Sequence, residues 1–383
     1  MDHVYLDYAA TTPVRDEVRE AMAPHLSGTF GNPSSVHHWG REAHEALESA
    51  RAQLAEAIGA SPSEVTFVRG GTESDNMALL GWCGAERARG ALPTLVISAV
   101  EHHAVLEAAE HAHATSLARV ETIPVGADGS VDPDDVRRAA DVTPALVSTM
   151  WVNNETGMVL PVEEIARVVH EAGAVLHSDV AQALGKVAVD VSEVPVDLLS
   201  GTGHKIYAPK GTGFLFAREG TPVAPLIHGG GQERALRPGT EDVAGAVGLA
   251  TAVHLAVAER QSEGERLAAL RSRMERGLLD RLDDIRVNAG SAERAPHVLS
   301  IGVGGLEDGN ALVMALDLEG FGVSGGSACA SGSTKGSHVM EALYGADDGH
   351  ASVRFSFGRG TTETDVDRAV EATVTVVTRM RAL

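Results

Sequence analysis

The chain has 383 residues, 44% of them hydrophobic and 22% charged, enough for a sizeable core and more than one domain. Its formal charge of −22 repels phosphate backbones and anionic membranes, which sets aside nucleic-acid binding as its main business. No apolar stretch runs uninterrupted across a bilayer's width and no secretion signal opens the chain; with only Cys83 and Cys329 a disulfide framework is excluded, so a cytoplasmic protein without membrane association is expected.

The opening Asp7-Tyr8-Ala9-Ala10-Thr11-Thr12-Pro13 is polar and ends in proline. Helical periodicity follows over about 15–25 and again over 38–58, with a structure-breaking loop at 28–35. Residues 64–68 read as a strand leading into Arg69-Gly70-Gly71-Thr72-Glu73-Ser74-Asp75-Asn76, where a helix starts. A glycine turn before a helix N-terminus makes an anion cradle, although on its own it reads more simply as a helix capped by Thr72 or Ser74. Strands are then predicted near 94–100, 119–125, 145–152, 174–177, 196–200 and 213–217, with helices between several of them, such as 161–171. This alternation gives an α/β fold, a large and mostly parallel sheet covered by helices.

Chemistry-bearing residues stand at the predicted strand ends. The strand at 94–100 runs into Glu101-His102-His103, and a histidine there is either a surface residue or an aromatic stacked on a planar ligand. Adjacent histidines diverge on a helix, so no metal site is expected. Val152-Asn153-Asn154-Glu155 carries amides that serve as turn formers or bind a ligand's polar edge. Ala174-Val175-Leu176-His177-Ser178 delivers Asp179, with Gln182 just beyond. Next, Val196-Asp197-Leu198-Leu199-Ser200 opens into Gly201-Thr202-Gly203-His204-Lys205. The chain has four lysines, Lys186, Lys205, Lys210 and Lys335, and one at a strand exit does what arginine cannot: it loses its proton and forms an imine. An acid at one strand end and a lysine at the next suit pyridoxal phosphate, whose aldehyde the amine holds while the acid pairs with the ring nitrogen.

After residue 240 a very long helix is predicted over about 241–282, with a break near 262–264. It leads to strands at 285–288, 297–303 and 352–357 and helices at 310–318, 338–343 and 363–380. The expected division is a large cofactor-binding domain over 15–257 and a smaller α+β domain made of 1–14 and 258–383. Within the latter, residues 323–337 are nearly all small, which predicts a mobile loop with nothing to bury Cys329, a plausible nucleophile. Cys83, in an apolar helix, reads as a buried small hydrophobe. Arg354 stands between apolar residues, where a planar fork pairs with a protein acid or grips a substrate carboxylate.

These motifs, in this order, resemble the pyridoxal-phosphate cysteine desulfurases of the nitrogen-fixation and iron–sulfur-cluster type, members of the class-V aminotransferases with fold type I. The resemblance rests on Tyr5-Leu6-Asp7-Tyr8-Ala9-Ala10-Thr11-Thr12, Gly31-Asn32-Pro33-Ser34-Ser35, Gly71-Thr72-Glu73-Ser74-Asp75-Asn76, Glu101-His102, Val152-Asn153-Asn154-Glu155, Gly203-His204-Lys205, Gly325-Gly326-Ser327-Ala328-Cys329 and Arg354-Phe355-Ser356. It implies that Lys205 holds the cofactor aldehyde, Asp179 pairs with the ring nitrogen, Gln182 bonds the phenolic oxygen and His102 stacks on the ring. Gly71, Thr72, Thr202 and His204 are implied as phosphate ligands, with Thr240 reaching in from a second subunit of a homodimer. By the same resemblance Asn154 would touch the cofactor–substrate edge and Arg354 would take the carboxylate of L-cysteine. Cys329, in what looks like the long-loop branch, would accept the sulfur as a persulfide and hand it to a protein acceptor. The chain stops at Leu383 and has Pro238 where a small polar residue is common, which leaves a cluster scaffold, a tRNA-thiolation enzyme and a DNA-modification system all open as acceptors. A selenocysteine lyase or a silent cofactor-binding scaffold is the alternative.

Overall fold

The computed structural model describes residues 3–306, 308–326, 336–346 and 348–382; Cys329 and Lys335 lie outside the described residues. The first part of the chain contains β1 (Val4–Tyr5), α1 (Asp16–Ser27), α2 (His38–Ala57), β2 (Val65–Val68), α3 (Gly71–Ala88), β3 (Thr94–Ser98), α4 (His103–Ala114) and β4 (Arg119–Ile123). Then come α5 (Pro133–Ala140), β5 (Ala145–Ser148), α6 (Val162–Glu171), β6 (Val175–Asp179), β7 (Leu198–Thr202), β8 (Gly213–Ala217) and α7 (Val243–Leu279). The chain finishes with β9 (Ile285–Val287), β10 (Val298–Gly304), α8 (Gly309–Leu318), β11 (Phe321–Gly322), α9 (His338–Tyr344), β12 (His350–Ser356) and α10 (Glu363–Arg381).

Seven strands form the large sheet in the order β2-β8-β7-β6-β5-β3-β4. From β7 to β4 all neighbours are parallel, while β8 is antiparallel to both β7 and β2. Every residue of β3, β5 and β7 is buried, as expected of parallel strands with helices on both faces. A second sheet, β12-β10-β9, is antiparallel and has its own core of residues such as Leu270, Leu299, Val353 and Val376.

Two connections tie the sheets together. The helix α7 runs 37 residues without the break expected near 262–264. Its two halves are held by different neighbours, α1 and α2 on one and α10 on the other. Across the middle, Arg266 binds Glu263 and Ser262 bonds back to the Glu259 carbonyl, so the polar and glycine residues that looked like a breaker sit inside a supported turn. An apolar stretch in α7 is long enough by composition to cross a membrane, but half of it is buried inside the protein. The second connection is β1, which pairs in parallel with β11, after which Ser356 N–H donates to the Leu6 carbonyl (2.7 Å). The N-terminal segment therefore packs on the small sheet and continues into the cleft through Ala9 and Ala10.

Candidate active site

In the parallel pair β6–β7, Asp179 stands opposite Ser200, so the acid ending one strand and the turn after the next open at the same sheet edge. That turn is tight. Gly203 N–H donates to Thr212 O, and the N–H groups of Ile206 and Ala208 return to Gly203 O. A Cβ at Gly203 would sit 2.4 Å from Thr212 Oγ1, so only glycine fits. His204 and Lys205 are thereby delivered to a cleft of about 210 Å³. Ten of the predicted residues line it: Gly71, Thr72, His102, Asn154, Asp179, Gln182, Thr202, His204, Lys205 and Arg354. Thr240 is exposed and does not line this chain's own cleft, and Cys329 lies outside the described residues.

One end of the cleft is the N-terminus of α3. Neither Thr72 nor Ser74 caps it: Gly70 is the cap, with φ +148° and no side-chain bond, and Ser74 Oγ donates to the Phe214 carbonyl (2.8 Å). The first turn of α3 thus presents its N–H groups beside Thr72 and Thr202, an end whose dipole favours an anion. Beside it, burial and then the charges of Lys205 and Lys210 push His204 down to about 4. His204 Nδ1 lies 3.2 Å from Thr11 Oγ1.

The middle of the cleft holds the predicted amine and acid. Asp179 Oδ1 accepts from Ala181 N–H (2.7 Å), which fixes the carboxylate at the strand end. His102 is the N-cap of α4: its Nδ1 accepts from Ala104 N–H (3.1 Å), so the neutral ring carries its proton on Nε2. Burial lowers the His102 pKa, against the opposing pull of Asp179. Gln182 is already engaged, its amide donating to the Ala9 carbonyl (2.8 Å) and its oxygen 3.1 Å from His297 Nε2.

At the far end, the two asparagines separate in role. Asn153 is the turn former: its Oδ1 accepts from Glu155 N–H, Thr156 N–H and Thr156 Oγ1, and its Nδ2 donates to Val100 O. Asn154 faces the cleft. Arg354 is buried and pairs with a protein acid, Asp7 (2.7 Å), which sequence reasoning admitted but did not name. It also donates to the carbonyls of Asn154 (2.5 Å) and Gly326 (3.3 Å), while its Nε is buried without a partner among the described residues.

Three acids around the cleft were not singled out from sequence. Glu101, just before His102, is fully buried; its Oε1 accepts from Ser98 Oγ and Met150 N–H, and burial pushes it up to about 8. Asp75 lines the cleft, buried, with its pKa raised by burial and then by Asp179. Its Oδ1 lies 3.7 Å from His177 Nε2, but His177 is held between Ser148 and Ser200 and burial drives it down to about 3, so the imidazole there is neutral. Glu155 also lines the cleft and is raised by burial. The available signal was position, since all three sit inside the quoted strand-end motifs. Cys83 is buried, and burial pushes its thiol up to about 12, as suits an inert core residue. Among the described residues no cluster of histidine, cysteine and acids suits a metal.

The family described as aminotransferase class-V matches residues 4–369. A protein named cysteine desulfurase IscS from Dictyoglomus turgidum is 42% identical over 381 residues, covering 99% of this chain and 96% of its own length. Among solved structures, a NifS-like protein superposes with a TM-score of 0.90 at 33% identity, covering 98% of this chain and 100% of its own. A structure described as SspA in complex with cysteine gives a TM-score of 0.79 at 32% identity, covering 92% of this chain and 98% of its own.

Proposed function

The chain belongs to the class-V aminotransferase family, and from that premise we propose that it is a pyridoxal-phosphate-dependent cysteine desulfurase. The observation that carries this reading is the convergence, in one cleft, of an amine (Lys205), an acid fixed at a strand end (Asp179), a helix N-terminus whose Gly70 cap brings no side chain and a buried arginine (Arg354). These groups fit the cofactor: Lys205 would take its aldehyde, Asp179 would pair with its ring nitrogen, His102 would stack on the ring, and Gly71, Thr72, Thr202 and His204 would hold its phosphate. When bound, pyridoxal phosphate supplies a carbonyl for amines and a ring that withdraws electrons from the substrate's Cα.

The chain's own residues supply the rest. Arg354 binds the carboxylate of L-cysteine, and Asn154 orients the substrate beside it. His102, whose Nδ1 caps α4, exchanges protons through Nε2. Cys329 Sγ, as the thiolate, attacks the substrate sulfur: an S–S bond forms as the Cβ–S bond breaks, and the carbon skeleton keeps the electron pair and is protonated. L-Cysteine and the Cys329 thiol thus become L-alanine and a Cys329 persulfide, with no external oxidant. A protein acceptor takes the outer sulfur, for iron–sulfur cluster assembly or nucleic-acid thiolation. The separate core of the small sheet supports the proposed division into 15–257 and 1–14 with 258–383, although Ala289, Ala295, Val339 and Met340 pack into the large core. The likeness to desulfurases that cover the whole chain supports a cytoplasmic homodimer in which Thr240 serves the second subunit's cleft.

The test is Cys329→Ser. Serine keeps the size but forms no persulfide, so the holoenzyme with L-cysteine and a reductant should release neither sulfide nor alanine above background, while Cys83→Ser behaves as wild type. Both products appearing at the wild-type rate from Cys329→Ser would overturn the reading.

A further inference from the structure

Gln182 lines the cleft through an amide with a partner at each end. Its nitrogen donates to the Ala9 carbonyl (2.8 Å), and its oxygen lies 3.1 Å from His297 Nε2. A carbonyl only accepts, so the Ala9 contact decides which end of the amide is nitrogen. The oxygen then faces His297 and needs a donor there, which puts the imidazole proton on Nε2. His297 is 1% exposed. Burial, followed by the charges of Lys186, Arg354, Lys205 and Arg271, holds its pKa well below the usual imidazole range, so the ring is neutral and has one proton to place. Its Nδ1, bare in this tautomer, is buried without a partner among the described residues. An unpaired buried acceptor has a cost that an apolar side chain filling the same space would avoid. Both partners of Gln182 hang from the end of β12. Ala9 N–H donates to Ser356 Oγ (2.9 Å), and Phe357 N–H donates to the His297 carbonyl (2.8 Å).

We propose that His297 is a positioning residue that locks the Gln182 amide with its nitrogen, rather than its oxygen, offered to a ligand oxygen in the cleft. Ala9 takes one of that nitrogen's two hydrogens, and the other has no partner among the described residues. Without His297 the amide oxygen is buried with no donor, and the side chain is drawn toward any rotamer that finds one, which takes the nitrogen off its aim. Because β12 also carries Arg354, one strand sets both the arginine for a substrate carboxylate and the amide for a ligand oxygen. That this oxygen is the phenolic oxygen of pyridoxal phosphate rests on the desulfurase reading, whereas the lock itself does not.

Two measurements separate them. In full-length wild-type protein with isotope-labelled histidine rings, magnetic resonance at about neutral pH should show His297 with its proton on Nε2 and Nδ1 bare, the signal being identified by its absence from His297→Gln. A proton on Nδ1 overturns the lock, with or without cofactor. The second measurement is a pH titration of the holoenzyme's visible band. An N–H at the phenolic oxygen stabilises its anion; once that donor is lost, the anion holds the adjoining imine proton more tightly and the midpoint rises. His297→Leu should raise it by about one unit with cofactor still bound, the scale of one hydrogen bond to a charged group. Gln182→Leu should raise it at least as far, and the double variant no further, because His297 acts only through Gln182. His297→Gln, whose terminal nitrogen can stand in for Nε2, should return the midpoint close to wild type. A wild-type midpoint in His297→Leu, shifts that add in the double variant, or His297→Gln as raised as His297→Leu overturns the proposal. If His297→Leu does not fold, the resonance measurement decides. Wild-type protein that binds no pyridoxal phosphate refutes the desulfurase reading instead, and the proton's place on His297 still decides the lock.

Discussion

Arg354 donates from two of its three nitrogens to Asp7 and to backbone carbonyls, and its Nε is buried without a partner among the described residues. A substrate carboxylate in the cleft that Arg354 lines would meet a largely desolvated guanidinium, whose charge-assisted hydrogen bond is worth more than an exposed contact. Arg354→Ala should therefore raise KM for cysteine with the cofactor retained, lowering kcat/KM by about ten- to a hundredfold, the equivalent of about 1.5–3 kcal/mol. Steady-state kinetics unchanged from wild type would leave Arg354 with a purely structural role beside Asp7. Glu101 gives a pH-dependent prediction. Burial raises it from an ordinary carboxyl to about 8 in the folded chain, so the folded state holds a proton that the unfolded state releases near 4.5. Its contribution to stability is fully present below about 4.5 and is lost as pH rises through about 8. Glu101→Gln keeps the acceptor for Ser98 and Met150 without the ionisable proton. Its urea midpoint should gain on wild type between about pH 5 and pH 8.5, and parallel curves would show that Glu101 stays charged when folded.

At the scale of elements, α2 does more than cover the sheet. From its inner face Arg51 forms a two-pronged pair with Glu233 (2.7 and 2.8 Å) and donates to the Val65 carbonyl at the start of β2. Glu233 Oε2 also accepts from Phe67 N–H, and both charged side chains are 3% exposed. The pair pins a stretch in which Glu233, Arg234 and Ala235 all have positive φ, an uncommon and strained run for residues with a Cβ. Arg51→Met should cost about 3–5 kcal/mol by leaving Glu233 buried without its cation. Chemical denaturation would measure that loss, and a change under about 1 kcal/mol would mean that Glu233 finds water instead. The regular elements were legible where apolar runs and turn residues agreed, as in β8, whose bounds coincide with the strand expected over 213–217. The continuity of α7 was not legible, because Ser262 and Gly264 look like a breaker until Arg266, Glu263 and neighbouring helices are placed around them. Two-residue strands such as β1 and β11 carry no periodicity to read. In the cleft, strand-end lysine, acid and histidine were legible by position, but the burial of Asp75, Glu101 and Glu155 depends on which elements close over them.

For the whole molecule, the surface has apolar side chains that a lone chain leaves in water. Phe30, Val36 and Trp39 are 68%, 90% and 51% exposed, and they belong to the loop and helix start that carry one of the family motifs. Leu226 and Ile227 are exposed upstream of Thr240. A homodimer that covers such residues would sediment at twice 39.8 kDa, and Val36→Asp with Phe30→Asp should shift it toward the single-chain mass and reduce desulfurase turnover. A wild-type protein that sediments as one chain, with full turnover, would remove any role for Thr240 in a second cleft.

The pairing of Val4 with Phe321 also sets an order in time. A ribosome delivers the first strand at once and its partner roughly 300 residues later, about 15–60 s at ordinary rates of synthesis. Throughout that interval the large sheet can close around its own helices, while Val4 and Leu6, core residues of the small sheet, have nothing to pack against. Completion of the small unit is therefore a late event that draws on the earliest residues made. A fragment beginning at 258 would be born without the strand that lines β11 and without Leu6.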